Sequence, residues 1–227
     1  MAKSKVYYTN MRTTLSENLL QKLARLVKTA GMLDGIDFNN KYTAIKIHFG
    51  EPGNLAYLRP NYAKVIVDLI KEQGGRVFLT DCNTLYPGRR KNALEHLDAA
   101  YENGFSPLST GCQVIIGDGL RGNDDVEVPV EGAEYIQTAK IGKAIMEADV
   151  IISLSHFKGH EQTGFGGAIK NLGMGCGSRR GKMEQHAQGK PMVAPRRCVG
   201  CRRCATQCAH GAITFGEDRK ASIDWDK

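Results

Sequence analysis

Apolar and polar positions follow two different periods along this chain, and each period predicts one kind of element. In several stretches apolar residues recur three and four positions apart, which is the spacing of one buried helix face. Shorter runs rich in Val, Ile, Phe and Tyr predict strands bounded by turn residues. We predict strands at Lys5–Tyr8, Tyr42–Phe49, Arg76–Thr80, Gln113–Ile116 and Val150–Ser155, and helices over residues 19–30, 60–70, 93–100, 136–146 and 168–172.

The order of these elements predicts the fold class. Strands alternate with amphipathic helices through most of the chain, which is typical of an α/β protein with a mostly parallel, doubly wound sheet. Ligands of such sheets bind beyond the carboxyl ends of the strands. We therefore expect a binding site in the segments that follow Phe49, Thr80, Ile116 and Ser155.

A change of composition near residue 189 divides the chain. Residues 189–196 contain two prolines and no apolar period, so this segment is predicted to be a linker. We expect an α/β domain over residues 1–188 and a small C-terminal module over residues 197–227.

Four cysteines in one short run dominate the C-terminal module. Cys198, Cys201 and Cys204 follow at intervals of three residues, and Cys208 comes four residues later. This spacing lets one loop wrap a cubane, which favours an iron–sulfur cluster of the 4Fe–4S type. Zinc sites usually draw their ligands from two separated knuckles, and no second knuckle follows here. Zinc and uncommitted thiols are the alternatives.

The segment after Ser155 carries the densest set of reactive side chains. An imidazole that titrates near neutral pH can act as an acid or a base while a lysine holds an anion. Glycines then lead into a short helix, where backbone N–H groups can approach an anion. The candidate catalytic residues are His156, Lys158 and His160, and the candidate cofactor-binding residues are Gly164, Gly166, Gly167, Lys170 and His48. The alternative is that each histidine only hydrogen-bonds the loop backbone.

Other strand ends supply further candidates. Lys46 and Glu51 lie near the end of the second predicted strand, and Asp81 follows the third, so all three could line the same cleft. Cys82 is expected to be a small buried hydrophobe. Asp118 stands among glycines and is expected to be a turn residue.

Composition limits the class of protein. The 227 residues are 41% hydrophobic, as in ordinary globular proteins. We find no apolar run of about 20 residues and no apolar core behind the N-terminus, so we expect no membrane span and no signal peptide. Free thiols then predict a reducing cytoplasm.

The net charge of +7 is concentrated in one window. That window contains a single acid, Glu184, and the rest of the chain is balanced. Such a patch attracts a small anion, an acidic redox partner or nucleic acid; alternatively, it offsets the negative charge of a thiolate-bound cluster. The basic residues are Arg179, Arg180, Lys182, Lys190, Arg196, Arg197, Arg202 and Arg203.

Two stretches and one single residue resemble a known family. The segments Ile45–Glu51 and Ser155–Gly173, together with Asp81, resemble domain-of-unknown-function family 362, whose members often carry a ferredoxin-type insert or tail. The resemblance covers roughly residues 1–190. It implies an iron–sulfur protein of unassigned chemistry.

The cysteine run and the residues after it resemble part of a bacterial two-cluster ferredoxin. A short strand, a charged turn and a second strand are expected after Cys208, ending near Ile223. The resemblance implies that the chain is shortened before a second cysteine motif. It also implies that Cys208 binds the second cluster. The first cluster then needs a fourth ligand, which either Cys176 or a group outside the chain would supply.

Two functional hypotheses follow. In the first, the chain is a cytoplasmic iron–sulfur redox protein whose α/β domain binds a small anionic ligand and whose cluster exchanges electrons with that ligand or with a redox partner protein. In the second, the cysteine loop is a structural metal site and the basic window binds RNA or an acidic protein. The window lacks aromatic stacking platforms, which weakens the nucleic-acid version.

Overall fold

The computed structural model describes residues 4–186, 191–208 and 211–224. Contacts divide the chain into two compact units, the first ending at Lys182 and the second beginning at Met183. The first unit contains the α/β fold, and the second contains the cysteine run.

Strands and helices alternate through the first unit, and the second unit adds α8, β9 and β10. The strands are β1 (Tyr42–Lys46), β2 (Arg76–Asp81), β3 (Gln113–Ile116), β4 (Asp125–Pro129), β5 (Thr138–Gly142), β6 (Val150–Ser153), β7 (Lys158–His160), β8 (Gly164–Gly166), β9 (Ile213–Phe215) and β10 (Ala221–Ile223). The helices are α1 (Leu19–Ala30), α2 (Pro60–Lys71), α3 (Ala93–Glu102), α4 (Pro107–Thr110), α5 (Lys143–Met146), α6 (Ala168–Gly173), α7 (Arg179–His186) and α8 (Arg203–Gln207).

Four parallel strands form the central sheet in the order β3-β2-β1-β6, which confirms the predicted α/β class. Lys46 pairs with Thr80 on one side and with Ser153 on the other, so the carboxyl ends of three strands meet at one edge. The chain runs outward from β1 to β3 and then returns to β6 on the opposite side of β1. The crevice between β1 and β6 is therefore a topological switch point, where open α/β sheets bind ligands.

Successive residues of β1 serve two different layers. Ile45 is fully buried and packs with Leu79 of β2 in the main core, to which α1 and α2 contribute. The next residue, Lys46, instead contacts Asn171 of α6. Helices therefore cover both faces of the sheet, as in doubly wound folds.

Local signals set the helix boundaries. Asn18 caps α1 by accepting from the backbone N–H groups of Leu20 and Gln21, and the Gln21 side chain accepts from the Asn18 N–H in return. Gly31 ends this helix with a left-handed φ of 62°. Pro60 opens α2, where its missing N–H would have no intrahelical partner.

Two predicted elements are wrong. Lys5–Tyr8 joins no strand in the described chain, and Val6 stays 89% exposed because no sheet covers it. The predicted helix over residues 136–146 is instead β5 followed by the short α5. Strand β5 pairs antiparallel with β4 from Asp125 opposite Gly142 to Pro129 opposite Thr138, and this tertiary pairing overrides the predicted helix.

Boundaries near the sheet edge also differ from the prediction. Strand β1 ends at Lys46, three residues earlier than expected, and β6 ends at Ser153, two residues earlier. The segment that follows β6 then forms a small antiparallel hairpin, β7–β8. Three-residue strands that contain glycine have too little hydrophobic pattern to predict this hairpin from the sequence.

The second unit is built around a short hairpin. Strands β9 and β10 pair antiparallel, from Phe215 opposite Ala221 to Ile213 opposite Ile223, which confirms the predicted strand–turn–strand. Helix α8 lies within the cysteine run, and His210 falls outside the described residues. No helix in the described part of the chain has the length and apolar character that crossing a membrane requires.

Candidate functional site

A cavity of about 510 Å³ opens at the carboxyl ends of β1, β2 and β6. It thus lies at the topological switch point. The structure brings six of the sequence-predicted residues into its wall, namely His48, His156, Lys158, Gly166, Gly167 and Lys170. Three other candidates, Lys46, Glu51 and Asp81, share the same wall.

Two predicted residues do not line this cavity. His160 accepts hydrogen bonds at Nδ1 from the backbone N–H groups of Gln162 and Thr163, at 3.2 and 3.3 Å. It therefore stabilises the turn of the β7–β8 hairpin, which is the loop-backbone role considered as an alternative. Gly164 has a φ of 76° and allows the chain to leave that turn.

A chain of alternating charges, three of them buried, fixes the floor of the cavity. Lys46 is 1% exposed, and its Nζ lies 3.0 Å from Asp81 Oδ1. Arg90 Nη1 lies 3.3 Å from the other oxygen of Asp81, and the same guanidinium bonds Glu51 through Nε and Nη2. Each charge thus has an opposite partner, which buried ions require.

Electrostatics keep Asp81 ionised in this network. Burial acts to raise its pKa, but the positive charges of Lys46 and Arg90 outweigh burial and hold the pKa well below the ordinary aspartate range. His96 lies nearby and is fully buried, and burial lowers its pKa to about 3. His96 is therefore neutral at physiological pH, with Nδ1 placed 3.4 Å from Asn83 Oδ1.

His48 sits on the cavity wall in a defined tautomer. Its Nδ1 accepts a hydrogen bond of 2.9 Å from the Gly50 N–H. Desolvation by the surrounding protein, together with the charge of Arg90, lowers its pKa to about 4. Although the ring still reaches solvent, the cavity wall surrounds it closely enough to disfavour the charged form. A neutral ring that accepts at Nδ1 carries its proton at Nε2.

Asn171 joins the two strands at the switch point. Its Oδ1 accepts from Lys46 Nζ at 2.8 Å, and its Nδ2 donates to Lys46 O and to Ser153 Oγ, both at 3.0 Å. Gly175 makes this approach sterically possible, because a Cβ there would lie 2.0 Å from Asn171 O and 2.6 Å from Lys46 Nζ. Neither residue was predicted from the sequence as part of the site.

Positive charge predominates in the cavity wall. Five cationic side chains line it against two carboxylates, which leaves a formal excess of three positive charges. One of the five, Lys182, is 8% exposed, and burial lowers its pKa; its Nζ donates to Gly177 O at 2.6 Å. The others are Lys46, Arg90, Lys158 and Lys170. A cavity of this charge favours an anionic ligand.

The cysteines of the α/β unit are poor nucleophiles. Cys82 and Cys176 lie in a small apolar cluster with Ile145. Burial raises the pKa of both thiols, and Cys82 Sγ donates to Cys176 O at 3.4 Å. Cys112 belongs to the main core, and burial raises its pKa as well. Cys82 is therefore a small buried residue that packs beside the cavity, as expected.

Asp118 has a structural role at the end of β3. It is fully buried, and burial raises its pKa. Its Oδ1 accepts from the backbone N–H and the side-chain amide of Asn83, and its Oδ2 accepts from the Arg179 N–H, all at 2.9 Å. Asp118 therefore joins the loop after β2 to the start of α7.

The cysteine run supplies soft sulfur donors of the kind that iron–sulfur clusters use. Cys198 Sγ accepts a hydrogen bond from the Ala221 N–H at 3.4 Å, and this bond lowers the pKa of the thiol. Gly200 has a φ of 68°, and a Cβ there would lie 2.7 Å from Arg219 O. The donor chemistry and the N–H group directed at sulfur fit a thiolate-bound cluster.

The donors are not gathered around a common centre. Within residues 4–186, 191–208 and 211–224, no three His, Cys, Asp or Glu side chains are grouped as a metal site. Cys201 and Cys204 are exposed, whereas Cys198 and Cys208 are half-buried.

The predicted basic patch is smaller than expected. Lys182 is buried in the cavity wall, and Arg180 Nη2 pairs with Asp125 Oδ1 at 2.7 Å. Arg179 donates to the backbone oxygen of Lys91. Carboxylate and carbonyl partners therefore hold these three side chains within the α/β unit. Lys190 lies outside the described residues, and the exposed members are Arg196, Arg197, Arg202 and Arg203.

Fold and cavity together define an α/β protein with a cation-lined cavity at the switch point of a parallel sheet. Residues 43–218 match the family described as "Domain of unknown function (DUF362)". The chain belongs to that family, as its sequence motifs predicted.

Similarity also extends to individual proteins. A thylakoid-associated protein of Synechocystis sp. is 26% identical over 125 residues, covering 55% of this chain and 35% of the relative. The chain thus spans about a third of that curated protein's length. Among solved structures, the lactate racemase apoprotein from Thermoanaerobacterium thermosaccharolyticum aligns with a TM-score of 0.45 and 14% identity, over 76% of this chain and 36% of that one.

Proposed function

We propose that this chain is an iron–sulfur redox protein whose α/β unit binds a small anion in the cavity at the strand ends. Binding of an anionic ligand is the first half of this proposal. It is supported by the excess of three positive charges around a cavity of about 510 Å³ at the switch point. The spacing of Cys198, Cys201, Cys204 and Cys208 carries the cofactor half.

The proposal gives each group in the α/β unit a role. Lys158 and Lys170 bind the anionic end of the ligand, and His48 donates a hydrogen bond from Nε2. His156 is the remaining imidazole in the wall and is the candidate acid or base. The buried charges of Lys46 and Asp81 hold the floor rigid beneath them.

The cysteine loop would hold a 4Fe–4S cluster through its thiolates. Such a cluster supplies one-electron transfer to or from the ligand or a redox partner protein. The Ala221 N–H, which donates to Cys198 Sγ, would stabilise negative charge on that ligand. Exposed thiolates survive in a reducing compartment, so we place the protein in the cytoplasm.

Anaerobic reconstitution with iron and sulfide tests the cofactor half. We expect a broad thiolate-to-iron absorption and an EPR signal on reduction, both lost in Cys201→Ala. Cys112→Ala removes a thiol of the main core and should keep both signals. A colourless protein after reconstitution would contradict the proposal.

A structural metal loop with a nucleic-acid surface is the second candidate. The exposed arginines Arg196, Arg197, Arg202 and Arg203 favour it. It predicts RNA binding that weakens steeply as salt increases and that does not change on reduction. Binding that is absent at low salt would eliminate this candidate.

A further inference from the structure

One carboxylate oxygen in the cavity wall has no protein partner. Arg90 Nε and Nη2 both donate to Oε1 of Glu51, and no described residue donates to Oε2. Glu51 is 46% exposed in its side chain, whereas Arg90 is held by the buried Asp81. The network thus fixes the carboxylate and leaves one acceptor free.

One ring N–H in the same wall also lacks a partner. His48 accepts at Nδ1 from the Gly50 N–H, so its Nε2 is a donor, and no described residue accepts from it. Glu51 is three residues further along the same loop, and both residues line the one cavity. The loop after β1 therefore presents an unpaired donor and an unpaired acceptor to the same cavity.

A hydroxyl group satisfies both of these atoms at once. Its oxygen accepts from His48 Nε2–H, and its hydrogen is donated to Glu51 Oε2. An ammonium group can serve only the carboxylate, and a carbonyl oxygen only the imidazole. The cations Lys158 and Lys170 of the same wall suit an anionic group elsewhere on the ligand.

We propose that the cavity selects small anions that carry a hydroxyl group, which His48 and Glu51 recognise together. This inference rests on the proposed function, because it requires the cavity to bind an anion. Carboxylates and phosphates share the anionic chemistry, so the hydroxyl is the feature that sets specificity. Glu51 is then a specificity-determining residue, and Arg90 is the residue that positions it.

Paired ligands on the full, reconstituted chain test the inference by calorimetry. Malate is compared with succinate, and glycerol 3-phosphate with propyl phosphate, so that each pair differs by its hydroxyl groups. We expect each hydroxylated ligand to bind about tenfold tighter, as for one charge-assisted hydrogen bond. The pair that binds more tightly identifies the anionic group, and aspartate should bind more weakly than malate.

Two variants locate the effect. Glu51→Gln keeps an oxygen for Arg90 but replaces the free acceptor with an NH₂ group, so the preference for hydroxylated ligands should disappear. Glu72→Gln removes the same charge from an exposed site at the end of α2 and should keep the preference. The ligand comparison on the unmodified chain decides the question even if Glu51→Gln does not fold.

The outcomes separate this inference from the proposed function. Equal binding within each pair would leave an anion site without hydroxyl recognition, and this inference alone would be overturned. Aspartate binding tighter than malate would overturn it too, because an ammonium would then be the preferred group. Failure of every anion to bind would overturn the ligand half of the proposed function as well.

Discussion

Asp81→Asn removes the central charge of the buried network while conserving side-chain volume. The substitution leaves Lys46 with only Asn171 as a partner and places a donor opposite Arg90 Nη1. Lys46 and Asp81 are 1% and 3% exposed, so solvent cannot compensate. Removing one partner of a buried ion pair lowers the free energy of unfolding by about 3–5 kcal/mol.

Urea unfolding at pH 7 measures this loss as a change in the free energy of unfolding. We expect Asp81→Asn to lose about 3–5 kcal/mol and the exposed Asp98→Asn to stay within about 0.5 kcal/mol. Lys46→Met combined with Asp81→Asn should lose less than the sum of the two single changes. A loss below about 1 kcal/mol for Asp81→Asn would refute this interpretation of the network.

The same variant has a defined pH signature. The pKa of Asp81 is lowered in the folded chain. Its ionisation therefore contributes fully to the free energy of unfolding above the unfolded aspartate pKa of about 3.9, and this contribution is lost as pH falls below that value. The stability difference between the unmodified chain and Asp81→Asn should therefore shrink in acid. A difference that grows as pH falls below 4 would contradict the assigned charge state.

Three further predictions follow from the site. Burial lowers the pKa of His96 to about 3, so the free energy of unfolding should fall as pH drops from about 6.5 towards 3. Urea unfolding at several pH values should show a shallower fall for His96→Asn. Gly175→Ala should lose about 1–3 kcal/mol in thermal or urea unfolding because its Cβ meets Asn171 O, whereas Gly173→Ala, which meets nothing within 4 Å, should be nearly neutral. Lys170→Met should weaken succinate binding about tenfold by calorimetry without changing the unfolding midpoint; unchanged binding would remove Lys170 from the site.

The sequence predicted the central sheet because its strands depend on short-range pattern. Strands β1, β2, β3 and β6 are apolar runs between turn signals, and parallel strands bring their carboxyl ends together. The sequence also predicted that His48 and Lys158 share a cleft, and both line the cavity. Helix spacing likewise identified α2 and α3.

Tertiary contacts decided what the sequence did not reveal. Arg90 follows Pro87 and Gly88 in what looks like an exposed turn, yet its pairing with Asp81 and Glu51 buries it to 6% exposure. Lys182 belongs to a basic run that predicts a solvated face. Its burial depends on carbonyl oxygens of its own loop, which no side-chain pattern records.

Metal and sulfide analysis of the full chain tests the central claim most directly. After anaerobic reconstitution and desalting, the account predicts about four iron and four acid-labile sulfide per chain, with both lost in Cys201→Ala and kept in Cys112→Ala. One zinc per chain without sulfide would contradict the iron–sulfur proposal and favour a structural metal loop.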